Sequence, residues 1–299
     1  MTDARIALAV GVVVAAALAA GWLLTAPRAI DADTAGAVSE PGDAAAGQTV
    51  FFVAGCDSCH MSPGQKDPLR LGGGQELRTP FGSFFPPNIS PDRADGIGAW
   101  SAADFANALM AGVSPDRRHL YPAFPYPSYA RMSVKDVRDL FAFLRTTPAV
   151  PGRPPPPALA FPFSIRRAVG LWKLLYMPTV SRPLASDPAG PEALGRYLVE
   201  GPGHCGECHS PRTFLGGVIA SRALAGAPLP DGKGKAPNIA GLADWSESDI
   251  AYALATGLTP SGDSLGGAMA AVVRNLSQAP KEDLAAIARF LKTAKPARS

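Results

Sequence analysis

GCDSCHMSPGQ at residues 55–65 and HCGECHSPRTF at residues 204–214 decide how this chain is read. Each contains Cys-x-x-Cys-His: Cys56, Cys59 and His60 in the first, Cys205, Cys208 and His209 in the second. The chain has four cysteines, and these two motifs use them all. The spacing has a chemical reason. Two thiols three residues apart on a helical turn reach the two vinyl groups on one edge of a porphyrin, and the next residue aims its imidazole at the iron. A disulfide framework would spread cysteines through the chain. A zinc site needs four ligands, whereas each motif brings three and the motifs lie in separate repeats. The motifs predict two covalently bound haem c groups. Cys56, Cys59, Cys205 and Cys208 would form the thioethers, and His60 and His209 the proximal iron bonds.

Outward from the motifs, the chain repeats itself. PPNIS at 86–90 is echoed by APNIA at 236–240, and WSAADFANALMAGVSP from Trp100 by WSESDIAYALATGLTP from Trp245. Each copy closes on an amphipathic segment. Val137, Leu140, Phe141 and Leu144 share one helical face, as do Leu284, Ile287 and Leu291. Ser101 with Asp104, Ser133 with Asp136, and Ser246 with Asp249 have the spacing of a helix cap followed by an acid in the first turn. Shared landmarks in one order predict a tandem duplication, with one domain at 43–150 and a second at 186–296. The linker, 151–185, begins with a stiff proline run. It continues as SIRRAVGLWKLLYM, a short helix read either as a strut across both domains or as a helix on a membrane surface.

The remaining composition sets limits. A length of 299 residues suits two domains with a core each, and 31 Gly and 31 Pro predict long irregular loops. A formal net charge of +3, with no basic run interleaved with aromatics, argues against nucleic acid as a partner. Residues 6–26 carry no charge and are long enough to cross a bilayer. They are read as a retained anchor, the competing reading being a cleaved signal peptide. Trp22 suits the membrane interface. Flanking charges orient the segment weakly. Haem c is attached outside the bacterial inner membrane, so the motifs place the haem domains in the periplasm.

With both motifs, FFPPNIS, GIGAWSAADF, LYPAFPYPSY and GHCGECHSPR in view, the chain resembles the tandem class I cytochromes c over residues 43–295. It is similar to the cytochrome subunits of bacterial membrane-associated dehydrogenases for alcohols, sugars and aldehydes. Those subunits usually carry three such domains, and this chain has two. The resemblance implies a mainly α fold, with an N-terminal transmembrane helix plus two tandem class I cytochrome c domains, and a role in passing electrons.

The sixth iron ligand divides the copies. Met favours Fe(II) and raises the potential. For the second haem, Met269 follows the Gly-rich LGGAM where the family places its methionine. In the first copy, Gly112 matches Gly257, and twelve residues on from each stand Phe124 and Met269. Phenylalanine cannot bind iron. Met132, eight residues later, becomes the expected ligand, with His119 or an open iron as alternatives, and Met110 is read as core. Asn88 and Asn238 are candidates for a haem propionate or the loop backbone, Arg212 for a propionate, and Trp100 and Trp245 for the core.

These residues predict a dihaem electron carrier rather than an enzyme. It would take single electrons from a periplasmic or membrane dehydrogenase and pass them to an acceptor cytochrome or oxidase. An enzyme of peroxidase or thiosulfate-oxidising type would need the first haem open, and an integral dihaem subunit of a terminal oxidase is a further reading.

Overall fold

A computed structural model describes residues 2–180, 189–229, 232 and 234–295. Helix α1, Thr2–Leu24, is long and apolar enough to cross a membrane, and its described side chains are exposed along almost its whole length. A short helix follows, α2 (Ala32–Val38), to which the sequence reading assigned no element. Asp31 caps it by accepting from Thr34 N at 2.8 Å, and Val38 is buried in the first core.

The first domain is built from α3 (Ala44–Val53), α4 (Cys56–His60), α5 (Ala102–Ala106), α6 (Tyr126–Tyr129) and α7 (Val134–Leu144). One turn of π-helix, Asn107–Ala111, extends α5 to Gly112. The linker helix is α8 (Val169–Val180). The second domain repeats the plan with α9 (Pro191–Glu200), α10 (Gly206–His209), α11 (Glu247–Thr256), α12 (Ala268–Leu276) and α13 (Lys281–Thr293). Sheet is minor: Leu77–Thr79, Gly82–Phe84 and Ala158–Leu159 form one antiparallel ribbon, and Ala227–Pro228 pairs with Lys235–Ala236.

In each domain the first and last helices cross at a glycine. A β-carbon on Gly47 would stand 1.9 Å from Asp139 O, and one on Gly195 would stand 1.9 Å from Ala286 O. Only a residue without a side chain lets the backbones approach this closely. The predicted faces of α7 and α13 fill two separate cores. Leu140 and Phe141 pack with Phe51 and Phe105; Leu284 and Ile287 pack with Leu198 and Ile250. Each such side chain contributes roughly 1.5–3 kcal/mol on full burial. Trp100 and Trp245 pack against these cores, as read from the sequence. Ser101 with Asp104 and Ser246 with Asp249 form complete capping boxes. At Ser133 the hydroxyl accepts from Asp136 N at 3.0 Å.

The linker helix is a strut. Lys173 Nζ donates to Ala111 O at 2.6 Å and Gly112 O at 2.7 Å in the first domain. Trp172 Nε1 donates to Leu215 O at 3.0 Å, and the Tyr176 and Thr213 hydroxyls meet at 2.9 Å, in the second.

Candidate haem sites

Both Cys-x-x-Cys-His motifs fold as a single helical turn, α4 and α10, so that His60 and His209 close their turns. Each imidazole is held by the same device. His60 Nδ1 donates to Pro87 O at 2.8 Å, and His209 Nδ1 donates to Pro237 O at 2.8 Å. A proton fixed on Nδ1 leaves the Nε2 lone pair for a metal and orients the ring. Burial lowers both imidazole pKa values and so favours the neutral, ligating form, against the opposing pull of the carbonyls. The proline carbonyls belong to the repeated Pro-Asn-Ile loops, and the loops are cradled by equivalent glycines. Gly73 N donates to His60 O and Gly226 N to His209 O, both at 2.7 Å. A β-carbon on Gly73 would stand 2.2 Å from Pro86 O, and one on Gly226 2.8 Å from Asn238 N.

The thiols fit thioether chemistry. Burial pushes Cys59 up to about 11 and Cys205 up to about 12, and raises Cys56 and Cys208 as well. Thiols held neutral, three of them half-buried and Cys208 exposed, suit a covalent link that carries no charge, whereas a zinc site binds thiolate. Among the described residues no three His, Cys, Asp or Glu side chains converge as a metal cluster.

The distal side confirms the register of the two copies. Leu120 N donates to Gly112 O at 2.8 Å, and Leu265 N to Gly257 O at 2.7 Å. Four residues later, Phe124 N donates to Tyr121 O at 3.1 Å and Met269 N to Gly266 O at 3.2 Å. Phe124 therefore occupies the backbone position of Met269. Its ring packs on Tyr129 at 5.5 Å and against the first core. Met132 is buried in that core, in the same cluster as Cys56, Tyr129 and Met110. Met269 is half-buried at the start of α12. His119 is buried elsewhere: its Nε2 donates to Thr25 O at 2.9 Å, at the end of α1.

The polar candidates resolve into loop chemistry. Asn88 Oδ1 accepts from Ser90 N at 2.9 Å, and its Nδ2 donates to Val150 O at 2.6 Å. Asn238 Oδ1 accepts from Ala240 N at 2.9 Å. Arg212 is engaged by Glu207 and by Gly216 O at 2.7 Å, which ties the loop after the second motif to the motif itself.

The sequence reading missed how the motifs meet. Within α4, Asp57 accepts from Arg274 at 2.7 Å and Ser58 from Asn275 at 3.0 Å, both on α12 of the second domain. Around α10, His204 Nε2 donates to Ala54 O at 3.1 Å and Glu207 accepts from Ser128 at 3.0 Å, the latter on α6 of the first domain. Each motif thus packs on the helix that follows the distal loop of the other copy. Arg131 with Glu200, and Tyr197 with Asp136, close the same seam.

Comparison with known proteins agrees with this geometry. The Cytochrome c family pattern matches residues 44–148. Over 277 residues the chain is 50% identical to a diheme cytochrome c-type protein of Cereibacter sphaeroides, covering 92% of this chain and 93% of that one. The chain belongs to the dihaem cytochromes c. It is also 35% identical to the fructose dehydrogenase cytochrome subunit of Gluconobacter japonicus over 83% of its length, and 33% identical to the cytochrome c subunit of a quinone alcohol dehydrogenase of Gluconobacter oxydans over 91%. Of those two longer subunits it spans 51% and 60%. As a dihaem cytochrome c, the protein carries two covalently bound haem c groups and serves electron transfer.

Proposed function

We propose that this dihaem cytochrome c is anchored by α1 in the bacterial inner membrane, with both haem domains in the periplasm. There it takes single electrons from a dehydrogenase and hands them towards an acceptor cytochrome or oxidase. The observation that carries this reading is the reciprocal seam, which joins the two motif helices across the domain boundary. Such a seam suits a carrier whose two redox sites work as one unit. The names of the relatives support a dehydrogenase as donor.

The reading assigns Cys56, Cys59, Cys205 and Cys208 to the thioethers, His60 and His209 to the proximal iron positions, and Met132 and Met269 to the distal ones. When bound, each haem supplies a one-electron Fe(II)/Fe(III) couple. The chain's own residues do the rest. Pro87 and Pro237 carbonyls hold the imidazole protons on Nδ1. The two cores pack against Cys56 and Cys205 and shield one side of each. Burial of Met132 in the first core, and the tie between His119 and Thr25, support Met132 over His119. With His60, Met132, His209 and Met269 as ligands, each iron would be left no position for a substrate, which favours a carrier over a haem enzyme.

The test is oxygen uptake by membranes of the source bacterium, fed in turn with alcohols, sugars and aldehydes, with and without this chain. At least one substrate-dependent uptake is expected to fall on deletion and return with the wild-type gene. Uptake unchanged for every dehydrogenase substrate would count against the donor assignment.

A further inference from the structure

We infer that the outer face of α8, with Phe161, Ile165 and the loop tip at Phe214, lies in the headgroup boundary of the bilayer that α1 crosses. The inference rests on the anchoring of α1 proposed above.

The strut has two faces. Trp172, Lys173 and Tyr176 turn inward to the two domains. Leu171, Leu174 and Leu175, spaced as one stripe of a helix, turn outward. Leu171 remains 55% exposed and Leu175 53%. Phe161, in the segment leading into α8, is 81% exposed, and Phe214, in a loop bonded to α8, is 87% exposed. Trp172 bonds to Leu215, the residue after Phe214, which ties this loop to α8. Large apolar side chains grouped in this way mark an interaction surface.

Its position identifies the occupant. The start of α8 is pinned to the point where α1 ends. Arg167 lies over the Trp22 ring at 4.0 Å and donates to Trp22 O. A β-carbon on Gly170 would stand 2.3 Å from Thr25 O, and His119 donates to the same carbonyl. Leu171 is the next residue. With α1 across a membrane, Trp22 and Thr25 fall at its surface, and the stripe beginning at Leu171 falls there too.

Charge narrows the chemistry further. Arg166 donates to His119 O at 2.9 Å and lies over the Tyr121 ring, and Lys173 is engaged by two carbonyls. Arg166 and Lys173 therefore point into the protein, and Arg167 is engaged by Trp22 at the end of α1. The face suits apolar insertion into a zwitterionic boundary rather than attraction to anionic lipid.

The full-length holoprotein would be placed in phosphatidylcholine vesicles containing a trace of phosphatidylcholine with a photoactivatable group in its upper acyl chain. Adducts are then mapped by mass spectrometry. The expected result is labelling of α1 and of residues 161–175, with none on α11, whose Tyr252 is equally exposed. Leu171→Ser/Leu175→Ser should lose the α8 adducts and keep those on α1. Labelling of α1 alone would overturn the inference and leave the anchor standing, the stripe then being free for a protein partner. Absence of label from both would overturn the anchoring reading and the inference with it. Equal labelling of α8 and α11 would also overturn it.

Discussion

Gly195→Ala tests the helix crossing on which the second domain is built. The new β-carbon would stand 1.9 Å from Ala286 O, 2.5 Å from Ala286 C and 2.9 Å from Phe290 Cβ. Ordinary non-bonded contacts lie at about 3.5 Å, so α9 and α13 must part by roughly 1.5 Å. Overpacking of this kind costs roughly 1–3 kcal/mol, and contact with a backbone carbonyl, which cannot rotate away, puts the cost at the upper end. Alanine returns about 1 kcal/mol of helix propensity. The net expectation is a loss of roughly 1–2 kcal/mol, or about 4–16 °C in the melting temperature of a domain of this size. Gly47→Ala should behave alike in the first domain, since its β-carbon would meet Asp139 O at the same 1.9 Å. Gly36→Ala, in α2 with nothing within 4 Å, is the control and should be neutral or stabilising. Thermal unfolding of the three holoproteins, followed by circular dichroism, decides the matter. If Gly195→Ala and Gly47→Ala melt like Gly36→Ala, close helix crossing does not explain these glycines.

Other consequences concern the seam, the strut and the motifs. Arg274→Ala leaves Asp57, fully buried and with Oδ1 already unpartnered, without its ion pair. An unsatisfied buried group costs about 1–3 kcal/mol, and the half-exposed Arg274 side chain puts this pair at the low end. Urea unfolding should show that loss, and adding Asp57→Asn should recover part of it. Burial pushes Lys173 from 10.5 down to about 7, so between those values the unfolded chain holds the extra proton and stability rises with pH. The urea midpoint of wild type, measured against Lys173→Met, should therefore climb from neutral pH upward; a flat difference contradicts the burial of that ammonium. Cys205→Ala/Cys208→Ala should halve the covalently bound haem measured after denaturation, with the first domain still loaded.

Much of this was legible in the sequence because the duplication states each signal twice. Two motifs, two Pro-Asn-Ile loops and two capped helices with matching faces give the order of both domains. The register that set Phe124 against Met269 held because the Gly112 and Gly257 turns are built from the same hydrogen bonds. What stayed hidden depends on contacts between distant segments. Helix α2 has a weak pattern and is fixed by packing of Val38 in the first core. The bonds of Asp57 to Arg274 and of His204 to Ala54 span the domain boundary, and no local spacing encodes them. Asn88 spends its side chain on Val150 and Gly152, more than sixty residues away. The linker helix braces both domains on one face, as one of the two readings expected, and its other face stays apolar and exposed.

The most direct measurement is the oxidised optical spectrum of the holoprotein beside that of Met132→Ala, read at the weak long-wavelength band of methionine bound to Fe(III) and at the high-spin bands. The account predicts two methionine-ligated low-spin haems in wild type and the loss of one in the variant. A variant spectrum identical to wild type would contradict it, as would a high-spin haem already present in wild type.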